Sequence, residues 1–105
     1  MSKVNIVFKA TVKMGLEKEF YKTALELMNS TKAEEVGCIS FTFHQHAENP
    51  NLFLAYEQYE DSAAMNIHFK RLEKVYGTPR DGENLPPKLY DFFENIEFDF
   101  YNIVE

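Results

Sequence analysis

Residues 38–59, CISFTFHQHAENPNLFLAYEQY, decide the fold. The first half alternates. Ile39, Phe41 and Phe43 fall on one face of an extended chain, and Cys38, Ser40, Thr42, His44 and His46 fall on the other. Ala47 to Asn51 is a turn cluster ending in Asn-Pro-Asn. Residues 52–59 resume as a second extended run, apolar on both faces in its first half, which suits a central strand covered on two sides. Two such runs joined by so short a link read as an antiparallel hairpin.

Working outward toward the N-terminus, Val4, Ile6, Phe8, Ala10 and Val12 share one face of a strand. Asn5, Lys9, Thr11 and Lys13 take the other, with Val7 as the exception. Met14-Gly15 breaks this strand, and Gly15 serves as N-cap of a helix with Glu17 and Glu19 in its first turn. Its stripe is Leu16, Phe20, Ala24, Leu27 and Met28, widened by Tyr21 and Leu25. Glu34 to Gly37 ends it, with Gly37 supplying a positive φ. Toward the C-terminus, Asp61 or Ser62 caps a second helix whose stripe is Met65, His68, Leu72 and Val75/Tyr76, stopped by Gly77-Thr78-Pro79. Residues 77–87 form a loop. Pro87 starts a short third helix carrying Leu89, Tyr90 and Phe93, and residues 95–104 are the last strand.

The order β-α-β-β-α-(α)-β is that of an α+β, ferredoxin-like split βαβ plait, one domain over residues 1–105. Helices on one sheet face leave the other uncovered. That face reads as largely apolar or aromatic, which predicts a homodimer packed sheet on sheet. The chain carries 11 Lys and Arg against 17 Asp and Glu, a net charge of -6, and its few basic residues do not cluster, so nucleic acid is not an expected partner. A single cysteine excludes an internal disulfide. No apolar run approaches the length of a membrane span, and the expected location is cytoplasmic.

Four segments resemble one family in order and spacing. Lys13-Met14-Gly15 before an amphipathic helix is similar to the opening of the antibiotic biosynthesis monooxygenase (ABM) domain family, and Glu35-Val36-Gly37-Cys38-Ile39-Ser40-Phe41 to its E-P-G-C-x-x-Y segment. Asn49-Pro50-Asn51-Leu52-Phe53 resembles its hairpin. Glu57-Gln58-Tyr59-Glu60-Asp61, then Ala63-Ala64-Met65 and His68, resembles E-x-W-x-D-x-A-A-L-x-x-H. The resemblance covers about residues 3–76 and implies a dimeric α/β barrel with a pocket between sheet and helices in each subunit. It implies a range of activities: cofactor-free oxygenases of hydroquinones and polyketide aromatics, haem degradation, and processing of small signalling sugars. Tyr59 stands for the frequent Trp and Val36 for the frequent Pro, and a serine-proline-histidine stretch after the helix His is missing. The haem-degrading branch carries Asn where this chain has Phe8, which argues against haem.

His68 is the leading catalytic candidate, since its stripe aims an imidazole into the sheet–helix interface, where it can carry a proton. Glu57 and Tyr59 share a strand face near the start of that helix; the carboxylate can orient an imidazole and the phenol can hold a substrate oxygen. Phe8, Phe41, Phe43, Met65 and Leu72 are candidate substrate-binding walls. His44 and His46 form an H-x-H pair with no third ligand nearby, so no metal site is expected. Cys38 has no neighbouring cation in sequence to activate it and reads as a packed residue. No phosphate-binding glycine loop is present. The expected function is a cofactor-free monooxygenase acting on a small phenolic or hydroquinone substrate. The alternatives are an isomerase or proton-transfer enzyme on a small carbonyl compound, and a non-catalytic dimeric binder of an apolar ligand.

Overall fold

A computed structural model describes residues 2–105. Its elements are β1 (Val4–Val12), α1 (Glu17–Glu34), β2 (Cys38–Gln45), β3 (Leu52–Tyr59), α2 (Ser62–Tyr76), α3 (Pro87–Tyr90) and β4 (Phe93–Tyr101). The strands form one sheet in the order β2-β3-β1-β4, with every neighbouring pair antiparallel. β1 and β2 are therefore parallel with β3 between them, the split βαβ arrangement. The expected α+β ferredoxin-like fold is the observed one.

The core lies between one sheet face and the helices. Phe8, Ala10 and Val12 of β1 and Phe53 and Ala55 of β3 pack against Phe20, Ala24 and Leu27 of α1 and Leu72 of α2. Phe20 is the hub, meeting Phe43, Phe53, Phe92 and Phe93 edge-on with ring centroids 4.9 to 5.6 Å apart. Each such pair adds about 0.5–1.5 kcal/mol beyond area burial.

Two β-bulges alter the expected faces. The β2–β3 register runs from Cys38↔Tyr59 to Ser40↔Gln58 and skips Ile39. Cys38 is thereby turned toward the helix side with Phe41 and Phe43, while Ile39 is exposed. The β1–β4 register runs from Thr11↔Asn95 to Val12↔Phe93 and skips Glu94. Phe93 is thus the buried first residue of β4, not part of α3, and the strand ends at Tyr101, with residues 102–105 outside regular structure.

Other local expectations are corrected. Leu16, not Gly15, is the N-cap of α1, and Gly15 sits in the preceding turn at φ +92°. Tyr21, Leu25 and Val75 are exposed, so both helix stripes are narrower than predicted, and Tyr76 takes the inward position at the end of α2. Asp61 caps α2, its Oδ1 accepting the Ala64 N–H at 2.9 Å. The open sheet face is mixed. Its cross-strand rows are Ser40-Gln58-Asn5-Tyr101, Thr42-Tyr56-Val7-Asp99 and His44-Leu54-Lys9-Glu97. The phenylalanines of β1, β2 and β4 lie on the helix side.

Candidate functional site

The site begins with a glycine. Gly37 does not take a positive φ; it is required by a close approach, because a Cβ there would lie 2.6 Å from the Ala64 Cβ. The contact clamps the α1–β2 link onto the first turn of α2, and the Glu60 N–H donates to the Gly37 carbonyl at 2.9 Å. Glu35 lies two residues before this contact and His68 one helical turn after it, so the clamp brings them together. The His68 Nδ1 is 3.0 and 2.9 Å from the two Glu35 carboxylate oxygens.

Arg71, three residues along the same face of α2, completes the anchorage. Its Nε donates to Glu35 Oε2 at 2.7 Å, and its Nη2 donates to Thr31 Oγ1 at 2.8 Å. On the other side of the ring, His68 Nε2 lies 4.0 Å from Glu57 Oε1. That same oxygen accepts the Tyr59 hydroxyl at 2.6 Å. Phe41, Tyr59 and Phe69 enclose the imidazole with centroids 4.9, 5.4 and 5.9 Å away. Tyr59 is fully buried, and His68, Glu35 and Glu57 are buried as well.

The two carboxyls respond oppositely to this environment. Burial works to raise Glu35, but the hydrogen bond and charge of His68 and the Arg71 guanidinium outweigh it, and Glu35 is held below the usual carboxylate value. Burial dominates at Glu57 and raises it, despite the Tyr59 hydrogen bond. Burial, then the neighbouring carboxylates, push the Tyr59 phenol far up and the Cys38 thiol to about 11. A thiol so disposed is no nucleophile at neutral pH.

His68 and Glu57 open onto an aromatic cavity of about 40 Å³ between sheet and helices. Phe8, Phe41, Phe43 and Leu72 line it, joined by Phe69, Phe98 and, from the 77–87 loop, Leu85. Its volume is on the order of one or two waters, so an aromatic ligand enters only as these side chains move. Met65 is half-buried on α2 outside this lining, and the Tyr59 phenol points at Glu57. The carboxylate that hydrogen-bonds the imidazole is Glu35; Glu57, expected in that role, stands beyond hydrogen-bond distance at the opposite nitrogen. Sequence reading missed Glu35 and Arg71 as site residues. No local signal marks them, because the Gly37–Ala64 contact that joins the two segments exists only in the fold.

His44 and His46 lie apart from this cavity, beside an open hollow of about 490 Å³ on the other sheet face. The His46 Nδ1 accepts the N–H groups of Glu48 and Asn49 at 3.1 and 3.0 Å, so it holds the β2–β3 turn. Among the described residues no three His, Cys, Asp or Glu side chains converge to hold a metal. No helix among them is long and apolar enough to cross a membrane.

The family model "Antibiotic biosynthesis monooxygenase" matches residues 3–73. The chain belongs to this family. Its Gly37–Ala64 clamp and the Glu35, Glu57 and His68 cluster lie wholly within the matched span. Solved structures agree in fold. A Pseudomonas aeruginosa protein superposes with a TM-score of 0.78 at 18% identity, covering 100% of this chain and 97% of its own. A Methanosarcina mazei protein gives 0.76 at 23% identity, covering 97% and 93%. A candidate antibiotic biosynthesis monooxygenase from Nitrosomonas europaea gives 0.77 at 19% identity, covering 98% and 91%. No curated protein matches the chain.

Proposed function

We propose that this ABM-family protein oxygenates a small phenolic or hydroquinone substrate without a resident cofactor, using His68 as general base. The observation that carries the reading is a buried imidazole and a carboxyl 4.0 Å apart at the wall of a phenylalanine-lined cavity. Aromatic walls suit a flat apolar ring, and the two polar groups suit its hydroxyl. His68 takes the phenolic proton, and the electron-rich anion reacts with dioxygen at a ring carbon bearing hydrogen. One oxygen atom stays on that carbon as a carbonyl and the other leaves as water. The substrate supplies all four electrons, so a phenol with a free para position becomes a para-quinone. Glu57, whose raised affinity for a proton comes from its burial, is the second proton-handling group.

The same two groups suit a second reading, proton transfer within a small carbonyl compound, which the small cavity volume favours. Dioxygen separates the two. Metal-free protein given a panel of phenols and hydroquinones under isotope-labelled dioxygen is expected to yield quinone carrying one labelled atom. Undiminished turnover of a carbonyl compound under argon, with no labelled product from any phenol, would favour isomerisation.

In the proposed assembly two chains pack through their open sheet faces. Support comes from Val7, Leu52, Leu54 and Tyr56 across the centre of that face, and from exposed Tyr101 at its margin.

A further inference from the structure

We propose that Glu35, anchored by Arg71, is the positioning residue of the site: it keeps a proton on His68 Nδ1 and so leaves Nε2, on the Glu57 side of the cavity, as the nitrogen that exchanges a proton with a bound ligand. The inference rests on the reading of His68 as the proton-exchanging group and adds the device that selects its reactive atom. The geometry is asymmetric. Nδ1 has two carboxylate oxygens within 3.0 Å, whereas Nε2 has no hydrogen-bond partner among the described residues, Glu57 standing 4.0 Å away. A carboxylate held below its usual protonation range can only accept, so the ring nitrogen facing it must donate. An imidazole with one nitrogen so committed offers the other as its only base.

Arg71 fixes which carboxylate oxygen does what. It has only donors, and its Nε holds Oε2 at 2.7 Å, while its other nitrogens reach Thr31, Ser30 and Glu34 on α1 and its end. In Glu35→Gln the guanidinium therefore selects the amide oxygen for the Oε2 position. The amide nitrogen then falls at the Oε1 position, 3.0 Å from Nδ1. Nδ1 then faces that donor and, 2.9 Å away, the amide oxygen, so it is no longer bound to carry the proton, and Nε2 takes a share of it. Shape and volume stay the same, and only the balance of tautomers changes.

Nitrogen NMR of ring-labelled histidine reads this directly, followed from about pH 5 to pH 8. The ionisable groups around the ring across that range are Glu35 and Arg71 on one side and Glu57, Tyr59 and Cys38 on the other. In the wild type the neutral ring is expected to show a protonated Nδ1 and a bare Nε2; that preference should weaken in Glu35→Gln and be lost in Glu35→Leu, which offers Nδ1 no acceptor. Turnover of an identified substrate should fall in these variants in step with the share of the neutral ring that carries its proton on Nε2. A bare Nδ1 in the wild type, or a ring doubly protonated at every pH, overturns the proposal, as does an unchanged tautomer in a folded Glu35→Leu. The wild-type spectrum needs no variant, so it decides even where the substitution prevents folding. The expected spectra together with full turnover in His68→Gln would leave the positioning standing and remove the oxidation reading.

Discussion

Glu35 and Glu57 face opposite nitrogens of one imidazole and pull stability in opposite directions with pH. Glu35 sits below its ordinary value of 4.5, so its contribution is present above that pH and is lost as pH falls through its folded value. Glu57 sits above 4.5, so the folded state prefers its proton. It costs nothing below that pH, and its cost grows as pH rises through the folded value. Glu57→Gln keeps the volume and still accepts the Tyr59 hydroxyl. It should therefore raise the melting temperature at neutral pH, with the gain vanishing toward about pH 4. A melting temperature lowered equally at both pH values would show that Glu57 is held as a needed charge.

At the scale of elements, the Gly37–Ala64 contact carries more than its size suggests, because it joins α1, β2 and α2 where the site is assembled. Gly37→Ala would put two Cβ atoms at 2.6 Å, and the overpacking should cost about 1–3 kcal/mol in denaturant unfolding. The shift should also part Glu35 from His68, so the histidine tautomer should lose its preference in the same variant. An unchanged unfolding midpoint would mean that the link yields freely. This contact also marks where sequence reading stopped. Every strand and both long helices were legible, because alternation in Val4–Val12 and the three-and-four spacing of Phe20, Ala24 and Leu27 are local patterns. Ile39 and Phe93 were misplaced because a bulge adds one residue to one strand and reverses the faces on either side, with no local mark in composition. His68, Glu57, Phe8, Phe41 and Phe43 were legible as inward-facing residues. Glu35 was not, since a charged residue at a helix end looks solvated until the partner helix is placed against it.

For the whole molecule, one sheet face is packed and the other is bare. That face mixes Val7, Leu54 and Tyr56 with Lys9, Glu97 and Asp99, so an interface there combines an apolar centre with charged pairs. Sedimentation should give a dimer at micromolar concentration, with an interface of about 1,600 Å², and Tyr56→Asp should weaken it; a stable 12.3 kDa monomer in the unsubstituted protein would end the dimer proposal. In the function proposed, the buried imidazole of His68 performs chemistry and does not merely fill the core. Oxygen uptake by metal-free wild type and His68→Gln, with a phenol that the wild type turns over and with melting temperatures recorded in parallel, tests it most directly. The expected result is a folded variant whose uptake falls about 10²–10⁴-fold toward the uncatalysed rate. Unchanged uptake with a lowered melting temperature would make His68 a packing residue and contradict it.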